Sequence, residues 1–173
     1  MTVHPYTSSM TTDIGRIRDS GPIAYFLTWT THGSWLPGDA RGWVKRGGDI
    51  RPASHTLLVA VERSMTDSPM ALSPVQRRLA HDAIDVACHH REWTIHACQC
   101  RIQHVHVVVT ATHTRPELVL GQLKAWSSRA LKAAGLSHRY CWSRGGSTRL
   151  IFDEGDLRRV VEYVVDGQDR PRS

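Results

Sequence analysis

Two strand-like runs, WTIHACQC (residues 93–100) and HVHVVVTA (104–111), are separated only by Arg101-Ile102-Gln103. Parallel strands need a crossover of about a dozen residues or more, so a joint this short predicts an antiparallel hairpin. The other elements must be arranged around it. From Ala24, the aromatic and β-branched stretch AYFLTWT predicts a strand over roughly 24–32, closed by Gly33 and Pro37-Gly38. Ser73-Pro74-Val75-Gln76 reads as a helix start, with Ser73 as cap and Gln76 reaching back, and the helix runs to about His90 with Val75, Leu79, Ala83 and Val86 as its stripe. A second helix is expected from Pro116 to Ala134, with Val119, Leu123, Trp126 and Ala130 inward and Gly135 as its stop. TRLIF is the last strand, and EGDLRRVVEYVVDG the last helix, with Leu157, Val160, Val161 and Val164 as its apolar stripe. The order β-α-β-β-α-β-α predicts an α+β protein: a ferredoxin-like antiparallel sheet with helices packed on one face and a C-terminal helix carrying Tyr163.

The chain has 173 residues, 40% hydrophobic and 22% charged, which suits one domain with one real core. That domain is placed at 22–173, behind a loose arm at 1–21 whose Ser, Thr and sparse apolar groups cannot offset the entropy of ordering. No window is apolar enough for a membrane helix and no secretory signal begins the sequence, so a cytoplasmic protein without a membrane partner is expected. The four cysteines, Cys88, Cys98, Cys100 and Cys141, read as reduced thiols; a single residue between Cys98 and Cys100 is short for a zinc pair, and buried strand residues are the better reading. Lys and Arg exceed Asp and Glu by 22 to 16, a formal charge of +6, and six Trp accompany this excess. A basic surface with flat rings suits nucleic acid. The loop GSWLPGDARGWVKRGGDIRP gathers Trp35 and Trp43 with several basic residues, a composition typical of functional or disordered loops.

His104-Val105-His106 is the first candidate site. Side chains two apart on a strand share a face, so both imidazoles can converge on one metal ion while Val105 points the other way. Tyr163 is the second. At about 3.6 residues per turn it falls about 120° from the centre of the last helix's apolar stripe, off the core and beside it. A tyrosine near a divalent ion can serve as a covalent nucleophile on a phosphodiester. The plain alternatives are a partnered histidine pair and an amphipathic rim tyrosine.

QHVHVVVTA, then QLKAWSSRALKAAG, WSRGGSTRLIF and EYVVDGQ together resemble the single-tyrosine HUH transposases of the insertion-sequence and REP-associated kind, and TWTTHGSWLPGDARGWV resembles the first strand and loop of a subgroup of them. The resemblance covers about residues 22–168. It implies a catalytic domain that cuts and rejoins single-stranded, hairpin-containing DNA with Mg²⁺ or Mn²⁺. His104 and His106 would hold the ion, and Tyr163 would attack the phosphate to leave a 3′-hydroxyl and a 5′-phosphotyrosine. Relatives often place a polar third ligand one turn after the tyrosine; here that position is Gly167, so Gln168, or Asp166 as the alternative, is the expected third ligand. Relatives also often carry Pro-Asn where this chain has Ile102-Gln103. Lys124, Arg129, Lys132, Arg144 and Arg149 are candidates for the DNA backbone, and Trp35, Trp43 and Trp142 for stacking on bases, whereas Trp126 belongs to a core stripe. His32, near the end of the first strand, is left open, and the family resemblance makes a homodimer one expected assembly. The competing functions are a replication-initiator or relaxase-like HUH nuclease, a nucleic-acid-binding module without chemistry, and a small zinc protein.

Overall fold

A computed structural model describes residues 21–44, 49–65 and 67–167. The arm expected at 1–21 lies, apart from Gly21, outside the described residues, as does Gln168. In chain order the elements are β1 (Ala24–Thr30), β2 (Trp43–Val44), β3 (Ile50–Arg51), α1 (His55–Ser64), α2 (Pro74–His90), β4 (Thr94–Cys100), β5 (His104–Thr110), α3 (Pro116–Ala133), β6 (Ser147–Ile151) and α4 (Glu154–Glu162), which runs on as a π-helical turn over Tyr163–Gly167. The main sheet has the strand order β4-β5-β1-β6, antiparallel throughout. The predicted hairpin is β4–β5, and β1 is inserted beside β5 as the ferredoxin-like arrangement requires.

Strand alternation divides this sheet into two apolar layers. Tyr25, Leu27, Trp29, Val105, Val107 and Val109 face α2 and α3, which supply Ala80, Ile84, Ala87, Val119, Leu123 and Leu131. Ala24, Ala97, Val108 and Ile151 face the opposite way, against Leu157, Val160 and Val164 of α4 and its π-turn. Thus two helices cover one face and the tyrosine-bearing helix takes the other. α2 begins with the expected capping box: Ser73 Oγ accepts from Gln76 N–H, Gln76 Oε1 accepts from Ser73 N–H, and Pro74 stands in the first turn.

Several boundaries and faces differ from the expectations. Strand β1 ends at Thr30; Thr31 makes only an isolated bridge to Trp142, because its hydroxyl turns to the Met70 carbonyl and the chain leaves the sheet. The stripe of α2 is Ala80, Ile84, Ala87 and Cys88, whereas Val75 and Val86 are exposed. Small residues line this stripe because α2 lies close against α3 and β4. On α3 the buried set is Val119, Leu120, Leu123, Ser127 and Leu131, and Trp126 lies half-buried at the core's edge between His90 and Arg129. Helix α1 and the β2–β3 ribbon were not anticipated. α1 buries no residue fully and depends on Ser54, which caps it, and on Gly38, whose carbonyl accepts from Ser54 N–H at 3.0 Å. Gly38 sits at φ +93°, and a side chain there would meet the Ser54 carbonyl at 2.4 Å, so only glycine lets the loop approach this helix end.

Candidate active site

Strand β5 places His104 and His106 on the α4 face of the sheet, while Val105 points into the α2–α3 core, as their spacing predicts. The two imidazoles are 4.8 Å apart between ring centroids and nearly perpendicular. Tyr163, at the start of the π-turn, brings its ring to 6.2 Å from that of His106. Its side chain is 45% exposed, so the phenol is accessible while one edge of the ring is held. Val164, the next residue, is fully buried against the sheet and anchors the turn.

Phe26 completes the cluster, although nothing in the sequence reading selected it. It stacks on His106 at 5.6 Å with an interplanar angle of 15° and meets Tyr163 edge-on at 6.2 Å. One ring therefore positions both the candidate ligand and the candidate nucleophile. The signal lay in strand alternation: Phe26 is the large aromatic on β1 that falls out of the Tyr25-Leu27-Trp29 core set.

His106 is buried enough that desolvation, followed by the charges of His104 and Arg101, holds its pKa at about 4. Its ring is neutral at physiological pH, and its buried Nδ1 has no hydrogen-bond partner among the described residues. A neutral imidazole with an unused ring nitrogen beside a second imidazole can supply two nitrogen donors to a divalent metal ion, with the remaining positions left to oxygen donors. Among the described residues, no cluster of three His, Cys, Asp or Glu side chains is suited to hold an ion. Asp166, the alternative third ligand, lines a cleft with His96, Arg158 and Glu162.

The DNA candidates separate by place. Lys124, half-buried on α3, donates from Nζ to the Ser143 and Gly145 carbonyls, both at 2.7 Å, and burial lowers its pKa. It thereby braces the turn that carries the exposed Arg144. That turn lies along β1: Ser143 N–H donates to the Thr30 carbonyl at 3.0 Å, and a side chain on Gly146 would meet the Thr28 carbonyl at 2.8 Å. Thr28 and Thr30 are the register partners of His106 and His104, so Arg144 sits at the histidine end of the sheet. Arg149 faces α4 and is ion-paired with Asp156 at 2.8 Å. Arg129 covers the Trp126 ring, and Lys132 donates to the Arg139 carbonyl, both on the layer opposite the histidines.

Trp35 is 46% exposed, with Nε1–H donating to the Gly42 carbonyl and Arg41 over its ring at 6.0 Å. Arg41 is itself held by Asp39, whose carboxyl it keeps down at about 2. Trp43 is half-buried on β2. Trp142 is not a base platform: it is buried edge-on to Trp29 at 6.0 Å, with Nε1–H donating to the Lys124 carbonyl. His32 packs against Tyr140, with ring centroids 5.6 Å apart. Cys98 and Cys100 pack toward the α2–α3 core. Among the described residues no helix is long and apolar enough to cross a membrane.

No family model matches the chain, and no curated protein matches it. Solved structures do. A REP-associated tyrosine transposase bound to a REP hairpin matches with a TM-score of 0.51 and 15% identity, over 84% of this chain and 66% of that one. This chain thus spans about two thirds of that protein's length. A candidate transposase from Deinococcus radiodurans R1 matches with a TM-score of 0.46 and 16% identity, over 83% of this chain and 88% of that one. At such identities the likeness is one of architecture, and the chain has the α+β fold seen in the REP-associated tyrosine transposase.

Proposed function

We propose that this protein is a metal-dependent transposase of the single-tyrosine HUH type, which cleaves and rejoins single-stranded, hairpin-containing DNA through a 5′-phosphotyrosine. The observation that carries the reading is the packing of Tyr163 against His106, with His104 beside it, on one accessible sheet face. The Tyr163 phenol oxygen attacks the scissile phosphorus; an oxygen–phosphorus bond to tyrosine forms as the bond from phosphorus to the 3′ oxygen breaks. The leaving oxygen takes a proton to become a 3′-hydroxyl, and the phenolic proton passes to solvent. Attack by another 3′-hydroxyl on the phosphotyrosine reverses these changes and joins strands. His104 and His106 would hold Mg²⁺ or Mn²⁺, which when bound withdraws charge from the phosphoryl oxygens. Phe26 fixes the tyrosine and imidazole rings relative to each other, and Arg144 attracts the DNA backbone to this end of the sheet. In this reading Tyr163 acts at the histidines of its own chain, against which its ring packs.

The test is a denaturation-resistant adduct between the protein and labelled single-stranded hairpin oligonucleotides in Mg²⁺ or Mn²⁺. The wild type is expected to form it, and Tyr163→Phe to bind the same DNA without forming it. An adduct that persists in Tyr163→Phe removes Tyr163 as the nucleophile. Tight binding by wild type with no adduct across a broad substrate set favours a binding module instead.

A further inference from the structure

Resting on that metal reading, we infer that Gln99 of β4 supplies the third protein donor to the ion held by His104 and His106. The hairpin register pairs Gln99 directly with His106, and Cys100 with Val105. Directly opposed residues of antiparallel strands share a face, with Cβ atoms about 4.5–5.5 Å apart. The face is fixed independently two residues away, where Ala97 pairs with Val108 and both enter the cluster under α4. The β-bulge of β4 lies between Ile95 and Ala97, so it leaves the Gln99 register intact, and the Arg101 N–H donating to the His104 carbonyl at 2.8 Å closes the turn.

The chemistry calls for an oxygen. Mg²⁺ and Mn²⁺ prefer oxygen donors, which two imidazole nitrogens do not provide. The Gln99 carboxamide offers a carbonyl oxygen without adding charge where phosphate must enter. The neighbours on β1 are weaker candidates: Thr28 brings a hydroxyl on a short side chain rather than a carbonyl oxygen, and the Thr30 hydroxyl is engaged with Ser143. Asp166 opens on the cleft beside His96 and Glu162. The π-turn bearing Tyr163 lies against both β4 and β5, which sets the nucleophile over the strands that present these donors.

The experiment is Mn²⁺ titration without DNA, read by calorimetry or by loss of the free-ion paramagnetic resonance signal, with thermal melts confirming folding. Gln99→Leu keeps the bulk and removes the donor; it is expected to weaken Mn²⁺ binding about tenfold or more, no less than the loss of a group that only orients a ligand. Gln99→Glu is expected to bind Mn²⁺ more tightly than wild type, a gain that a packing role would not give, and it decides the question should Gln99→Leu fail to fold. Near-wild-type affinity in Gln99→Leu, or affinity no tighter than wild type in Gln99→Glu, overturns the inference. The underlying reading fails separately: wild type without Mn²⁺ affinity, or full affinity in His104→Ala plus His106→Ala, overturns the metal site and this inference with it.

Discussion

At the scale of single residues, His106 joins a place in the candidate site to the energetic cost of burying an imidazole. Its folded pKa of about 4 lies below the ordinary 6.5, so between these values the unfolded chain binds the proton and the folded chain does not. Stability therefore rises with pH through this window and falls as the solution is acidified from about 6.5 toward 4. Discounted for the partial exposure of the ring, the effect is about 1–2 kcal/mol. Urea unfolding at pH 4.5 and pH 7 should show that difference in wild type and a smaller one in His106→Gln; equal pH dependence in the two would remove His106 as its source. The histidine pair was legible in the sequence because period two is a rigid property of strands, and Tyr163 because helical spacing sets it off the apolar stripe, although the turn that holds it is π-helical. Phe26 was not, since Tyr25, Phe26 and Leu27 are all apolar and composition does not tell the two faces of β1 apart. Gln99 needed a cross-strand register, which no single strand contains.

At the scale of elements, short connections prove as decisive as helices. Lys124 shows how a residue with a plausible surface role is diverted: its ammonium is committed to the Ser143 and Gly145 carbonyls, and the Trp142 indole returns a hydrogen bond to its backbone. Lys124→Met keeps the stem and removes the charged donor, leaving those carbonyls to water or to no partner. A loss of about 1–3 kcal/mol is expected in chemical denaturation, because the hydrogen bonds involve a charged group. Hydrogen exchange should rise in the 142–146 turn, and unchanged exchange there would contradict the brace. Helix α2 was legible because Ser73, Pro74 and Gln76 encode its start locally. Its inward stripe was misassigned because large residues, Val75 and Val86, drew the pattern while the close-packed face used Ala80 and Ala87. Helix α1 is not legible in the sequence for a related reason: it buries nothing completely, and its docking rests on Gly38, a tertiary contact.

At the scale of the whole molecule, the sheet separates the basic residues that the linear sequence had grouped. The histidines, Phe26 and Tyr163 occupy the α4 layer, α3 carries Arg129 and Lys132 on the other, and Arg144 stands on the turn that Lys124 of α3 holds along β1 at the histidine end. Under the proposed function, Arg144 is then the basic candidate at the histidine end of the sheet, and Arg129 and Lys132 stand apart from it on the opposite layer. Single-stranded binding should weaken with salt, with a logarithmic slope near 0.7 for each phosphate neutralised. Arg144→Ala is expected to reduce that slope by about 0.7 and to slow adduct formation at moderate salt. Arg129→Ala with Lys132→Ala is expected to leave the rate of adduct formation unchanged. A slope reduced by the α3 pair as well would mean that the strand turns around the sheet end onto the second layer. A slope unaffected by Arg144→Ala would move the entry path to the loop of Trp35 and Arg41, where a half-exposed indole and a basic side chain already stand together.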